Sequence, residues 1–254
     1  EACSAGLVNE WLRLYPDIPV INGYGPTEAS DDITYLIFDQ LLADESKNIS
    51  IGKPLANMNM FVLDSQLRLM PIGVPGELCV SGLGVGDGYW KKPEKTAEVF
   101  TEDGYLRTGD KGVIDADGYV KITGRLKDIF KTAKGKYVTP APIEAKFMEN
   151  PIVEQVCVTG TNLPQPVALM VLSEGAQKKD KAEIEASLAK TFDAINSKLE
   201  SHQVMDRVVV MKNEWTIEND LLTPTLKVKR HVLEERFEPI IQGNYKDKIV
   251  WVDA

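Results

Sequence analysis

Asn22-Gly23-Tyr24-Gly25-Pro26-Thr27-Glu28 sets a flat aromatic ring, a hydroxyl and a carboxylate around two glycines. Gly23 and Gly25 let backbone approach a ligand closely. Tyr24 offers a face on which a planar base can stack. Thr27 can donate to a phosphate oxygen, and Glu28 is a hard oxygen ligand of the kind Mg²⁺ takes. By itself the heptapeptide is equally a loop that runs into a helix cap, and for an isolated stretch that plain reading is the stronger.

Four further stretches carry groups of the same kind. Tyr105-Leu106-Arg107-Thr108-Gly109-Asp110 ends a strand-like run on a carboxylate, which can accept two hydrogen bonds from a ribose as the acidic residue of dinucleotide folds does. Gly124-Arg125-Leu126-Lys127-Asp128-Ile129-Phe130-Lys131 holds a guanidinium fork suited to phosphate or ribose oxygens. With Lys134 and Lys136 it makes a basic loop, which in most proteins is only a solvated face. Thr223-Pro224-Thr225-Leu226-Lys227-Val228-Lys229-Arg230 offers lysines that could neutralise charge developing between a carboxylate and a phosphate; its plain reading is a surface turn. Gly76–Gly82, continuing through Gly84, Gly86 and Gly88 to Tyr89-Trp90, is dense in glycine and reads first as architecture.

The elements that must position these groups fall into three zones. Leu7, Trp11 and Leu14 recur at helical spacing, followed by an apolar stretch over Ile18–Ile21 and a Gly/Pro turn. Residues 51–123 alternate turns with short β-like runs at Phe61–Leu63, Glu77–Val80, Tyr105–Thr108 and Tyr119–Ile122, with a hairpin turn at Asp115-Ala116-Asp117-Gly118. This zone is expected to be a twisted sheet or barrel-like subdomain. Beyond it, Val153–Thr159, Val167–Leu172 and Arg207–Met211 read as strands. Ile184, Leu188, Phe192, Ile195 and Leu199 read as one amphipathic helix. The expectation is a mixed α/β chain with its large part over residues 1–124, a hinge at 125–127 and a small α/β domain over 128–254.

Composition narrows the classes. The 254 residues are 43% hydrophobic and 26% charged, as in ordinary globular proteins. A net charge of −9 disfavours a nucleic-acid partner but not a small anion held by local groups. Two histidines exclude a multi-histidine metal site, and three widely spaced cysteines show neither a disulfide framework nor a CxxC pair. No apolar run is long enough to span a membrane, and a cytoplasmic location is the simplest expectation. The start at Glu1, without methionine or signal core, reads as a cut through a longer protein.

In order and spacing these five motifs together resemble the adenylate-forming superfamily of acyl-CoA synthetases, nonribosomal peptide synthetase adenylation domains and luciferases, over nearly the whole chain. That resemblance implies a large domain and a small mobile C-terminal domain. It implies ATP-dependent activation of a carboxylic acid, most simply a fatty acid, to acyl-AMP, followed by thioester formation on CoA or on the phosphopantetheine of a carrier protein. By resemblance Asn22, Gly23, Tyr24 and Gly25 border the adenine, Thr27 the α-phosphate, and Glu28 the Mg²⁺. Asp110 and Arg125 hold the ribose, Lys127 is the hinge, and Lys227 bridges acyl carboxylate and phosphate, with Lys229 an alternative two residues on. Gly23, Asp31 and Asp32 border the substrate pocket. Read plainly, Asp31 and Asp32 begin a helix, where negative charge suits the dipole.

Two departures carry expectations of their own. The family's phosphate loop is not found in the chain, so the 254 residues are not expected to adenylate by themselves. Residues 1–90 resemble the peptide-synthetase branch, whereas residues 91–254 resemble long-chain acyl-CoA synthetases. The alternatives are therefore an amino-acid adenylation domain that loads a carrier protein, and a truncated or degenerate relative that only binds nucleotide.

Overall fold

Ser4 starts the first helix: its hydroxyl accepts the amide of Leu7 and caps α1, Ala5–Leu14. The helix packs on Ala5, Val8 and Leu12 and leaves Leu7, Trp11 and Leu14 exposed. The packed face is thus one residue along from the apolar stripe read in the sequence. Val8 and Leu12 meet Phe38 in a small core.

The structure is a computed structural model that describes residues 3–43 and 49–253. The chain divides into two units, Glu1–Leu126 and Lys127–Ala254. In the first unit β1, Val20–Tyr24, pairs antiparallel with β2, Thr34–Phe38, and β2 with the short β3, Lys53–Pro54. A second sheet runs β4, Met58–Leu63; β5, Gly76–Gly82; β6, Leu106–Ile114; and β7, Val120–Arg125, as an antiparallel meander in that order. Helix α2, Pro93–Val99, lies between β5 and β6 in sequence. Leu78, Val80, Leu106 and Val120 are fully buried and make the centre of this unit's core.

Asp115 organises the β6–β7 hairpin by accepting the amides of Asp117 and Tyr119, and Gly118 takes a φ of 83° that favours glycine. Among the described residues the meander is an open sheet and not a closed barrel. Its β7 edge is stitched to the first sheet where Gly52 bridges Val120.

The second unit opens with a two-stranded ribbon, β8, Phe130–Lys131, and β9, Tyr137–Val138, and then α3, Ala141–Met148. Its sheet has the order β10, Val153–Thr159; β11, Val167–Leu172; β12, Arg207–Met211; and β13, Ile249–Val252. The first pair is antiparallel and the other two are parallel. Every residue of β11 and β12 is buried, which explains why both read as unbroken apolar runs.

Helix α4, Lys181–Asn196, capped by Asp180, covers one face together with α3, burying Phe147, Ile184, Leu188 and Phe192. Trp215, Leu221, Leu222 and two short helices, α5, Arg230–Arg236, and α6, Glu238–Ile241, cover the other. No helix among the described residues is long and apolar enough to cross a membrane.

Candidate functional site

In the first unit, residues far apart in the sequence meet at Asp110. Asp110 and Arg125 are cross-strand partners on β6 and β7, so the guanidinium Nε reaches Asp110 Oδ1 at 2.9 Å. Tyr24, at the end of β1, donates its hydroxyl to Asp110 Oδ2 at 2.7 Å. Burial and then the Asp110 charge hold the Tyr24 phenol well above its ordinary pKa. Asp110 is only 6% exposed. A carboxylate has about four acceptor positions, and Tyr24 and Arg125 take one on each oxygen. Each oxygen therefore keeps capacity for one further donor, which is what a vicinal pair of hydroxyls needs. Thr108 has a different job: its hydroxyl donates to Leu78 O at 2.8 Å and accepts the Asp110 amide, shaping the strand where the carboxylate sits.

Glu28 lies on a single 3₁₀ turn, Thr27–Ala29, directly after β1. The hydroxyl of Tyr89 donates to Glu28 Oε1, and the Gly86 amide donates to the Glu28 carbonyl at 2.9 Å. The glycine-rich loop after β5 therefore braces the carboxylate from behind. That hydrogen bond, before burial, raises the Tyr89 phenol pKa. Glu28 Oε2 makes no hydrogen bond or ion pair among the described residues.

No group of three or more histidine, cysteine or acidic residues among the described residues could by itself enclose a metal ion. A single braced carboxylate is nevertheless what Mg²⁺ takes when substrate phosphates and water complete its shell, so Glu28 fits that ion. Removing the brace should show it. Tyr89→Phe is expected to weaken Mg²⁺ binding at Glu28 roughly tenfold, as the loss of a partner to a metal ligand does. An unchanged Mg²⁺ titration would contradict the placement.

The Asn22 side-chain amide donates to Ser50 O at 2.9 Å. A Cβ at Gly25 would overlap the carbonyl of Asp31, so the glycine is required by the chain's own backbone before any ligand is considered. A Cβ at Gly23 would lie 2.9 Å from Asp32 Oδ1, so Gly23 and Asp32 share one spot. Ser30 and Asp31 both take left-handed φ values, 55° and 76°. No helix starts at Asp31 or Asp32, and that plain reading is corrected: β2 follows instead. Thr27 is exposed.

In the second unit, Lys127 is the first residue and lies on a 3₁₀ turn, Leu126–Asp128. Lys227 is exposed on a tight turn closed by Thr223 and Lys227, whose backbones bond at 2.8 Å, with Leu226 left-handed at φ 59°. The Lys227 ammonium has no ion pair among the described residues, whereas Lys229 is paired with Asp220. Arg230, Glu144 and Tyr89 are structural partners that sequence reasoning did not single out. Arg230 and Tyr89 lie inside motifs read in the sequence, and Glu144 lies a few residues beyond the basic loop.

The model of the AMP-binding enzyme family matches residues 1–90, and the model of the AMP-binding enzyme C-terminal domain matches residues 127–249. The chain belongs to the AMP-binding enzyme family. Fatty acyl-CoA synthetase A of Dictyostelium discoideum is 32% identical over 94% of this chain and 39% of its own length. Tyrocidine synthase 3 of Brevibacillus parabrevis is 38% identical over 67% of this chain and 3% of its own length. The crystal structure of ATP-bound MatB from Rhodopseudomonas palustris superposes with a TM-score of 0.70 at 28% identity, covering 94% of this chain and 44% of that one. A fatty acyl-CoA synthetase and a tyrocidine synthase thus both match this chain. It spans less than half the length of the relatives named.

Proposed function

We propose that this chain is the nucleotide-gripping and lysine-bearing part of an enzyme that uses ATP to activate a carboxylic acid, most simply a fatty acid, as its acyl-AMP and then passes the acyl group to a thiol. The observation that carries this reading is the Tyr24–Asp110–Arg125 cluster. It is a buried carboxylate with one acceptor position open on each oxygen, beside an aromatic face suited to adenine.

In the proposed reaction Asp110 receives the two ribose hydroxyls and Arg125 holds the carboxylate oriented. The substrate carboxylate attacks the α-phosphorus, and pyrophosphate leaves. Lys227 places its ammonium between carboxylate and phosphate, where negative charge grows, and Thr27 donates to a phosphate oxygen. When bound at Glu28, Mg²⁺ would supply charge neutralisation on the phosphates. The thiol of CoA or of a carrier protein's phosphopantetheine then attacks the acyl carbon, its C–S bond replacing the acyl–phosphate bond as AMP leaves, with rotation at Lys127 absorbing the change between steps.

One observation favours the amino-acid version. The Asp32 carboxylate lies beside Gly23, where it would receive a substrate ammonium, and a tyrocidine synthase is among the relatives. The test is acid-dependent exchange of labelled pyrophosphate into ATP by the intact gene product, offered a panel of fatty acids and of amino acids. Exchange stimulated by fatty acids supports the leading reading, and stimulation by amino acids alone supports the second. No exchange with any carboxylic acid would overturn both.

A further inference from the structure

Arg230 is three residues beyond Lys227 and begins α5. It is nearly buried, 15% exposed, and so is its partner Glu144 on α3, at 17%. Its guanidinium donates to Glu144 Oε1 at 2.7 Å, to the Val158 carbonyl at 2.6 Å and to Cys157 Sγ at 3.0 Å. Glu144 Oε1 also accepts the Val158 amide at 2.7 Å. One end of the lysine turn is therefore pinned to α3 and to the C-terminal end of β10 together. The other end is held by buried Leu221 and Leu222, with Leu222 bridged to Val228. The second charged brace, Lys229 to Asp220, is far more exposed, so screening makes it the weaker hold.

We propose that Arg230 is the positioning residue of Lys227: gripped by Glu144 and the β10 backbone, it sets where the turn presents the Lys227 ammonium. This rests on the reading that Lys227 acts in acyl-AMP formation. The guanidinium reaches the Val158 carbonyl through one terminal nitrogen and the Glu144 carboxylate through the other, a planar spacing that the single nitrogen of an ammonium does not reproduce, so Arg230→Lys is not conservative here. Misplacing a reacting group by a fraction of the turn's width is costly because the group acts only in near-attack geometry.

The test uses the intact gene product with Lys227→Ala, Arg230→Lys, Glu144→Gln and the double variant Lys227→Ala/Arg230→Lys. Two rates are read: pyrophosphate exchange, and thioester formation from supplied acyl-AMP. Arg230→Lys is expected to slow exchange roughly tenfold or more and to leave thioester formation nearly unchanged. In the Lys227→Ala background it is expected to slow exchange no further, because there is no ammonium left to misplace. Equal slowing of both steps, or effects that multiply in the double variant, would overturn the proposal and leave Arg230 a general stabiliser.

Should Arg230→Lys fail to fold, Glu144→Gln, made alone and together with Lys227→Ala, reads the same coupling, since it keeps one oxygen acceptor in the same shape while the charge is lost and the second oxygen becomes an amide nitrogen. Slowing that vanishes without Lys227 upholds the proposal, and unchanged or multiplying exchange overturns it. Normal exchange in Lys227→Ala alone defeats the underlying reading of the lysine, and the proposal with it. That failure is distinct from a coupling failure in an impaired Lys227→Ala enzyme.

Discussion

Lys227→Ala is expected to slow acyl-AMP formation by about 10²–10³-fold, the usual loss when one preorganised charge-stabilising group is removed. Thioester formation from supplied acyl-AMP should be nearly spared. The asymmetry follows from where charge grows. In the first step the attacking carboxylate and the α-phosphate crowd negative charge together, whereas in the second the adenylate leaves with its charge already present. The structure distinguishes Lys227 from its neighbour. Lys227 stands exposed on a strained turn with no ion pair among the described residues, and Lys229 is committed to Asp220. Lys229→Ala should therefore cost far less in exchange. Stopped measurement of both half-reactions in the two variants checks this, and a larger loss at Lys229 would reassign the role.

Asp110→Ala is expected to weaken AMP binding by about 10²–10⁴-fold, since hydrogen bonds to charged groups contribute about 1.5–3 kcal/mol each and two would be lost. It should also loosen the protein itself, because the Tyr24 hydroxyl and the Arg125 guanidinium lose their shared acceptor. Tyr24→Phe separates the two effects. It keeps the ring and the ribose acceptor, and should cost only a small fraction of the affinity. Isothermal titration with AMP, alongside thermal melting of each variant, reads both. Intact AMP affinity in a folded Asp110→Ala protein would remove Asp110 from the nucleotide.

Much of this arrangement was legible because it lies in short motifs. Asn22–Glu28 and Tyr105–Asp110 offer suitable groups by residue type and stand out from plain loops only as part of the ordered set of motifs, whereas Asp115–Gly118 declares its turn. The meeting of Tyr24 with Asp110 was not legible, since hydrogen-bond partners 86 positions apart leave no periodic trace. The same holds for Arg230 and Glu144. Helix α2 escaped notice because none of its residues is buried, so it shows no apolar face. In α1 the opposite happened: a large apolar stripe was visible, but small Ala5 and Val8 pack while Leu7 and Leu14 stay outside. At Asp31 and Asp32 acidic charge suggested a helix start, yet left-handed backbone at Ser30 and Asp31 turns the chain into β2.

The structure of the intact gene product bound to a non-hydrolysable acyl-adenylate would test the central claim most directly. Both ribose hydroxyl oxygens should lie about 3 Å from the Asp110 carboxylate, with the adenine against Tyr24. A nucleotide seated elsewhere, with Asp110 still bonded only to Tyr24 and Arg125, would contradict it.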